Sequence, residues 1–352
     1  MSIPTEPIGS IPRPRELVEA TRANSGASSA ELERLYEQAL RDTIAEFEAT
    51  GSPVISDGEQ TKPSFVTYPL VGLETLAPDG IAIPFEDGHV RQLPRLTAGP
   101  FRYATHADGY LARALAIATV PVKQAVIAPS ALSLLYPQEP LVGYSREAFI
   151  VDLVREAEAD VRRCLDQGAH TVQLDFTEAR LSVKLDPSAE LLRQLIELNN
   201  RVLERFSPAE RARIGVHTCP GGDRDSTHSA DVPYVELLPS LLGMAAGNLY
   251  IQLASERDRR GVLEVIREHA RPDQRIFVGV IDPIDPRVET SEEVRDRVLE
   301  AAEYIPPGRL GTTDDCGFAP FADDTSTARE LAFAKIRARV EGTRIASEQL
   351  GV

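Results

Sequence analysis

The sequence predicts a (β/α)8 barrel with a β-hairpin-containing insertion after its second strand. Three observations predict it. Short apolar runs alternate with amphipathic helical stretches from end to end. The runs number eight, the count of a closed barrel, whose usual length is about 250 residues before insertions. Polar and metal-capable residues gather just past the ends of those runs, the rim where such a barrel carries its chemistry. An open doubly wound sheet is the competing architecture, but no glycine-rich phosphate loop follows any run, which removes that fold's commonest use.

The eight strands are expected at residues 3–10, 54–57, 122–127, 171–175, 213–217, 249–253, 275–280 and 309–313. Between the first two, Leu32, Leu35, Tyr36, Ala39, Leu40 and Phe47 recur at helical spacing after the cap candidates Ser28 and Ser29, and Gly51 ends that helix. Residues 60–121 hold most of the surplus length. Within them Ile81–Leu93 has hairpin patterning, with Asp87-Gly88 at the turn. A helix over 146–167 buries Phe149, Leu153, Val154, Ala157, Val161, Cys164 and Leu165 on one face, so Cys164 reads as a small buried hydrophobe. Further helices are expected over 188–206, 233–244, 259–269, 291–304 and 326–346. With no linker, repeat or low-complexity tract, residues 1–352 read as one catalytic domain.

Composition narrows the function. The chain has 352 residues, 42% hydrophobic and 26% charged, which is too apolar for a disordered protein. A net charge of −16 offers phosphates no basic stripe, so nucleic acid is not an expected partner. No apolar run reaches the roughly 18–20 residues of a membrane span. The first residues lack the basic-then-apolar order of a signal peptide. Three scattered cysteines make no disulfide framework, and a reducing, cytoplasmic location is expected.

The residues at the predicted strand ends are Ser10, Asp57 with Glu59, Asp175, His217 with Cys219, Gln252 with Glu256, Asp282 with Asp285, and Asp315 with Cys316. His217-x-Cys219 with Cys316 is the sharpest constellation. Imidazole and thiolate are ligands zinc prefers, and three protein ligands leave a fourth position open for a substrate. The plainer reading is a buried cysteine beside a core histidine, and the shared rim placement weighs against it. His228, in the polar stretch Gly221–Asp231, is a candidate acid–base group or loop-shaping residue. Glu59 and Asp175 together suit a cationic amine.

Ile8-Gly-Ser-Ile-Pro12, Asp57-Gly-Glu59, Val122-Lys123, Val172-Gln-Leu-Asp175, His217-Thr-Cys219 and Asp315-Cys-Gly317 stand in the order found in cobalamin-independent methionine synthase. The chain resembles that family's C-terminal catalytic barrel from about residue 7 to about residue 345, and is like its single-barrel relatives. The resemblance implies Zn2+ chemistry on a homocysteine-like thiol, with His217, Cys219 and Cys316 as ligands. It implies Ser10, Glu59 and Asp175 as the grip on the amino-acid part of the substrate, the carboxylates taking its ammonium. The partners expected are a small-molecule thiol and a methyl donor, with folate, a methyl-corrinoid or another small methyl compound as the donor candidates.

Three departures from the family pattern stand out. Gln252 occupies the position of the family's ligand Glu, with Glu256 nearby as a substitute. The family's acid–base His after the seventh strand is missing, and Asp282 and Asp285 stand there, so Asp282 and His228 are the catalytic candidates. The chain has no Trp, and Tyr136 is the aromatic residue where the family stacks an indole on folate. Zinc-dependent S-methyl transfer is the leading expectation. Thiol opening of an epoxide, zinc-activated hydrolysis, or an inactive barrel that binds a thiol or amino acid are the rivals.

Overall fold

The computed structural model describes residues 2–22 and 28–352. Its centre is a six-stranded parallel sheet in which Gln124–Ile127, Val172–Asp175, Ile214–Thr218, Asn248–Ile251, Arg275–Ile281 and Leu310–Asp314 lie side by side in chain order. Each strand falls within about two residues of its expected place.

The first two expected strands are reduced to single bridges that close the sheet into a barrel. Thr5 pairs in parallel with Thr312, and Ile55 with Val122. Glu6 N donates to Thr312 O at 3.0 Å and Lys123 N to Ile55 O at 2.8 Å. The two segments meet where Ile11 N donates to Gly58 O at 3.0 Å and the Ser56 hydroxyl to Gly9 O at 2.7 Å. Prolines explain the brevity of these strands: Pro4, Pro7 and Pro53 have no N–H for a ladder.

Alternation along the strands separates two cores. Outward residues such as Val172, Leu174, Ile214 and Val216 pack under the helices in one large apolar layer. Inside the barrel a small cluster of Ile8, Tyr250 and Phe277 fills the bottom. Tyr250 and Phe277 stack at 4.6 Å, and glycine makes room for both rings. A Cβ on Gly215 would stand 2.4 Å from the Tyr250 ring, and one on Gly311 2.4 Å from Phe277.

Helices match the periodicity. Ser29–Ala49 starts where the Ser28 side chain accepts from Glu31 N, and Arg146–Gln167 starts in the same way at Ser145. Cys164 is fully buried on the inner face of the second of these. The insertion carries the expected hairpin, Ala82–Pro84 paired antiparallel with Val90–Gln92, and Gly88 takes φ +91° in its loop. Helices Asp108–Leu115 and Ala179–Leu185 were not expected from the pattern, both being too short to show a clear period. Among the described residues no helix is long and apolar enough to cross a membrane.

Candidate active site and metal centre

His217 is the fourth residue of Ile214–Thr218, and the parallel register sets it beside Asp175 on one neighbouring strand and Tyr250 on the other. Cys219 follows two residues later, so it leaves the strand on the same face as His217. Cys316 arrives from the loop after Leu310–Asp314, across the rim. One donor atom from each of the three lies within 4.8 Å of the others, and the two sulfurs are 3.3 Å apart.

The cluster has the marks of a cation site. Among the described residues, neither buried ring nitrogen of His217 has a hydrogen-bond partner, although buried polar atoms are normally paired. Of the two thiols, Cys316 is the one whose ionised form is favoured, first by the Cys219 hydrogen bond and then by His217, while the same pairing pushes the Cys219 thiol up. Gly221 N donates to Cys219 Sγ at 3.4 Å. This donor set, one imidazole and two thiols, suits zinc.

Gln252 and Asp315 brace the cluster. The Gln252 amide nitrogen donates to Ser255 Oγ at 2.6 Å, which leaves its amide oxygen buried and unpartnered. Asp315 Oδ1 accepts from Leu253 N and Ala254 N at 2.8 Å, and its Oδ2 accepts from Ser255 N and Oγ at 2.7 Å. The residue before Cys316 is thereby bound to the loop that carries Gln252. Burial, then the charge of Asp282, pushes the Asp315 carboxyl up to about 7. Glu256 is engaged elsewhere, in an ion pair with Arg180.

A cavity of about 320 Å3 opens on the cluster. Ser10, Glu59, Asp175, His217, His228 and Cys316 all line it. Ser10 backs the Cys316 loop: its hydroxyl accepts from Ala319 N at 3.2 Å, and a Cβ on Gly317 would meet it at 2.1 Å. Glu59 holds a left-handed backbone (φ +55°) and is paired with the buried Lys62 at 3.2 Å. Arg13 fixes that turn by donating to Glu59 O at 2.6 Å and Lys62 O at 3.2 Å. Gln173 donates to Asp175 Oδ1 at 2.7 Å. Burial pushes the Asp175 carboxyl up to about 7 despite His217, which favours its ionised form.

The insertion roofs this cavity. Ile83, Phe85 and Val90–Leu93 line it from above, and buried Asp223 holds the hairpin down through Arg91 Nη2 at 3.0 Å and His89 Nε2 at 2.9 Å. His228 lies beneath Phe85, with ring centroids 5.4 Å apart. Its Nδ1 meets Ser229 Oγ at 2.6 Å, and burial pushes the imidazole down to about 4, so it is neutral near pH 7. Asp282 lines a second basin of about 1180 Å3 on the other side of Cys316, together with Gln252 and Asp315. Tyr136 donates its hydroxyl to Tyr144 O at 2.7 Å and does not line the first cavity.

The pattern missed Glu178. It is 6% exposed, lines the first cavity and has no well-formed hydrogen bond to either carboxylate oxygen. Its place three residues past Asp175, in a polar post-strand segment, was the available signal.

Comparison with known proteins settles the family. The family described as the cobalamin-independent synthase catalytic domain matches residues 3–340. The chain belongs to this family. It is therefore an enzyme of the methyltransferase type. The methionine synthase of Saccharolobus solfataricus is 21% identical over 99% of the chain and 96% of its own length, and that of Sulfurisphaera tokodaii is 22% identical over 99% and 94%. Among solved structures, a B12-independent methionine synthase from a Shewanella species, in complex with selenomethionine, superposes with TM-score 0.78 at 20% identity over 99% of both chains. A putative B12-independent methionine synthase from Listeria monocytogenes gives 0.71 at 21% identity over 98% of both. These likenesses establish the barrel of the cobalamin-independent synthase family.

Proposed function

We propose that the chain is a zinc-dependent S-methyltransferase that methylates a homocysteine-like thiol. One observation carries the reading: the buried, unpartnered imidazole of His217 within 4.8 Å of two thiols, at the wall of a cavity that also presents Glu59 and Asp175. His217, Cys219 and Cys316 would hold the zinc and leave a position for the substrate thiol, with the unpartnered amide oxygen of Gln252 as a further candidate donor. Bound there, zinc would supply a Lewis acid that favours the deprotonated form of a substrate thiol at neutral pH.

The chain's own residues do the rest. Glu59 and Asp175 receive the substrate ammonium, and that cation draws the Asp175 carboxyl back to its ionised form. Ser10 and the Gly317 backbone shape the floor on which the amino-acid part lies. Neutral His228 and Phe85 close the cavity above the sulfur and exclude water. Asp282 stands on the far side of Cys316, where it carries a proton to or from the second basin and not to the methyl donor directly.

Metal content with X-ray absorption at the zinc edge tests the reading. About one zinc per chain is expected, lost in Cys316→Ala and gaining a sulfur neighbour when homocysteine is added. Zinc that never gains sulfur from homocysteine would remove that substrate.

A further inference from the structure

Among the described residues, Glu178 is a buried carboxylate with no hydrogen-bond partner on either oxygen. Its side chain follows Asp175 by three residues, at the start of Ala179–Leu185, and it is 6% exposed. Burial pushes it up to about 7, and the Ser130 hydroxyl is the group that most favours its ionised form. An uncompensated acid in a cavity wall is costly unless a ligand supplies the missing charge.

The rest of the cavity points to the sign and shape of that ligand. Its walls carry four carboxylates, Glu59, Asp175, Glu178 and Asp323. Among the described residues Arg91 is the one Lys or Arg that lines it, and both Asp223 and Asp323 already hold that guanidinium. Three phenylalanines, Phe65, Phe85 and Phe321, line the same space. Aromatic faces beside a carboxylate are the recognition chemistry of methylated onium cations. Lys62 already pairs with Glu59, and Arg91 and Arg224 with Asp323, so an anionic donor would meet the uncompensated Asp175 and Glu178 and, among the described residues, no free cation in the cavity lining.

We propose that Glu178 and these rings form the donor half of the cavity, and that the donor is a compact methylated onium compound, a sulfonium by preference. This rests on the methyltransferase reading above. The step balances without a further reagent. The acceptor thiol loses its proton, and its sulfur forms a bond to the methyl carbon. The donor's S–CH3 bond breaks, with the electron pair returning to the leaving sulfur. A methyl thioether, a neutral dialkyl sulfide and one proton result. The positive charge that Glu178 attracts disappears with transfer, so the spent donor binds less well than the fresh one.

Calorimetric titration of the zinc-loaded protein with trimethylsulfonium, and with tert-butanol as an uncharged molecule of like size, tests the site without turnover. The cation is expected to bind and the alcohol not, and Glu178→Gln is expected to weaken the cation by about tenfold or more. Methionine formation from homocysteine and S-methylmethionine should show KM for the donor raised in Glu178→Gln, with homocysteine still adding sulfur at the zinc edge. The wild-type cation-against-alcohol comparison stands even if the variant misfolds. Equal binding of the two probes, or turnover with methyl-folate or methyl-corrinoid that Glu178→Gln leaves unchanged, would overturn the donor assignment and leave the methyltransferase reading intact. Absence of a homocysteine signal at zinc would instead strike that reading itself.

Discussion

Asp175 and His217 are registered partners on adjacent parallel strands. Parallel register turns paired side chains to the same face, so the barrel itself, and no flexible loop, fixes the distance between the proposed ammonium grip and the His217–Cys219–Cys316 cluster. A substrate held by both is placed by backbone hydrogen bonding.

Removing a thiol should empty the cluster. Cys219→Ala is expected to lower zinc from about one per chain to below about a tenth and methyl transfer by about a hundredfold or more. Elemental analysis alongside an activity assay reads both, and activity that persists without zinc would refute the metal role.

Glu178 makes stability depend on pH. Its folded value of about 7 lies above the ordinary 4.5, so its protonated form favours the fold. That stability is full below about pH 4.5 and is lost as pH rises through 7, a contribution of up to about 3 kcal/mol. Urea unfolding of the ligand-free protein at pH 5 and pH 8 should show Glu178→Gln gaining stability on the alkaline side relative to the parent.

His228 works in the opposite direction. Its folded value near 4 lies below the ordinary 6.5, so its contribution is present above pH 6.5 and fades as pH falls through 4. His228→Gln should resist mild acid better, by up to about 3 kcal/mol near pH 4. Thermal melts between pH 4 and pH 7 will show whether the two curves converge towards neutrality as this requires.

Gly221 cannot accept a side chain. Its φ is +72° and a Cβ would stand 1.8 Å from His228 Nε2. Gly221→Ala is expected to cost about 1–3 kcal/mol and to push the imidazole out of the cavity. A shifted His228 ring signal by NMR would accompany the loss, and an unmoved ring would contradict it.

Asp223→Asn should loosen the roof. One buried carboxylate holds both Arg91 and His89 of the hairpin, so its neutralisation leaves Arg91 with only the half-exposed Asp323 as a carboxylate partner. KM for the methyl donor is expected to rise about tenfold, with zinc content unchanged. Proteolysis within residues 82–92 should quicken, and an unchanged cleavage rate would mean other contacts hold the hairpin.

Much of this could be read in advance because the barrel writes its pattern locally. Apolar runs marked six parallel strands, and His217, Cys219 and Cys316 stood out because few other residue types bind soft metals. The first two strands were overestimated: the pattern around Ile3 and Ile55 is apolar, but Pro4, Pro7 and Pro53 withhold ladder hydrogen bonds. Glu178 stayed hidden because a glutamate after a strand looks like a solvated or capping residue, and its burial in a cavity wall near Ser130 comes from tertiary structure. Asp282 and Cys316 follow adjacent strands, yet Cys316 lines both basins and Asp282 only the second, which spacing does not encode.

The roof and the His217, Cys219 and Cys316 cluster come from separate stretches of chain. Residues 82–92 shape the upper cavity and supply no member of the His217, Cys219 and Cys316 triad. Sequence drift in the hairpin can therefore retune which molecule is admitted while the proposed thiol-activating cluster is inherited intact. A barrel organised in this way can change its diet without relearning its reaction.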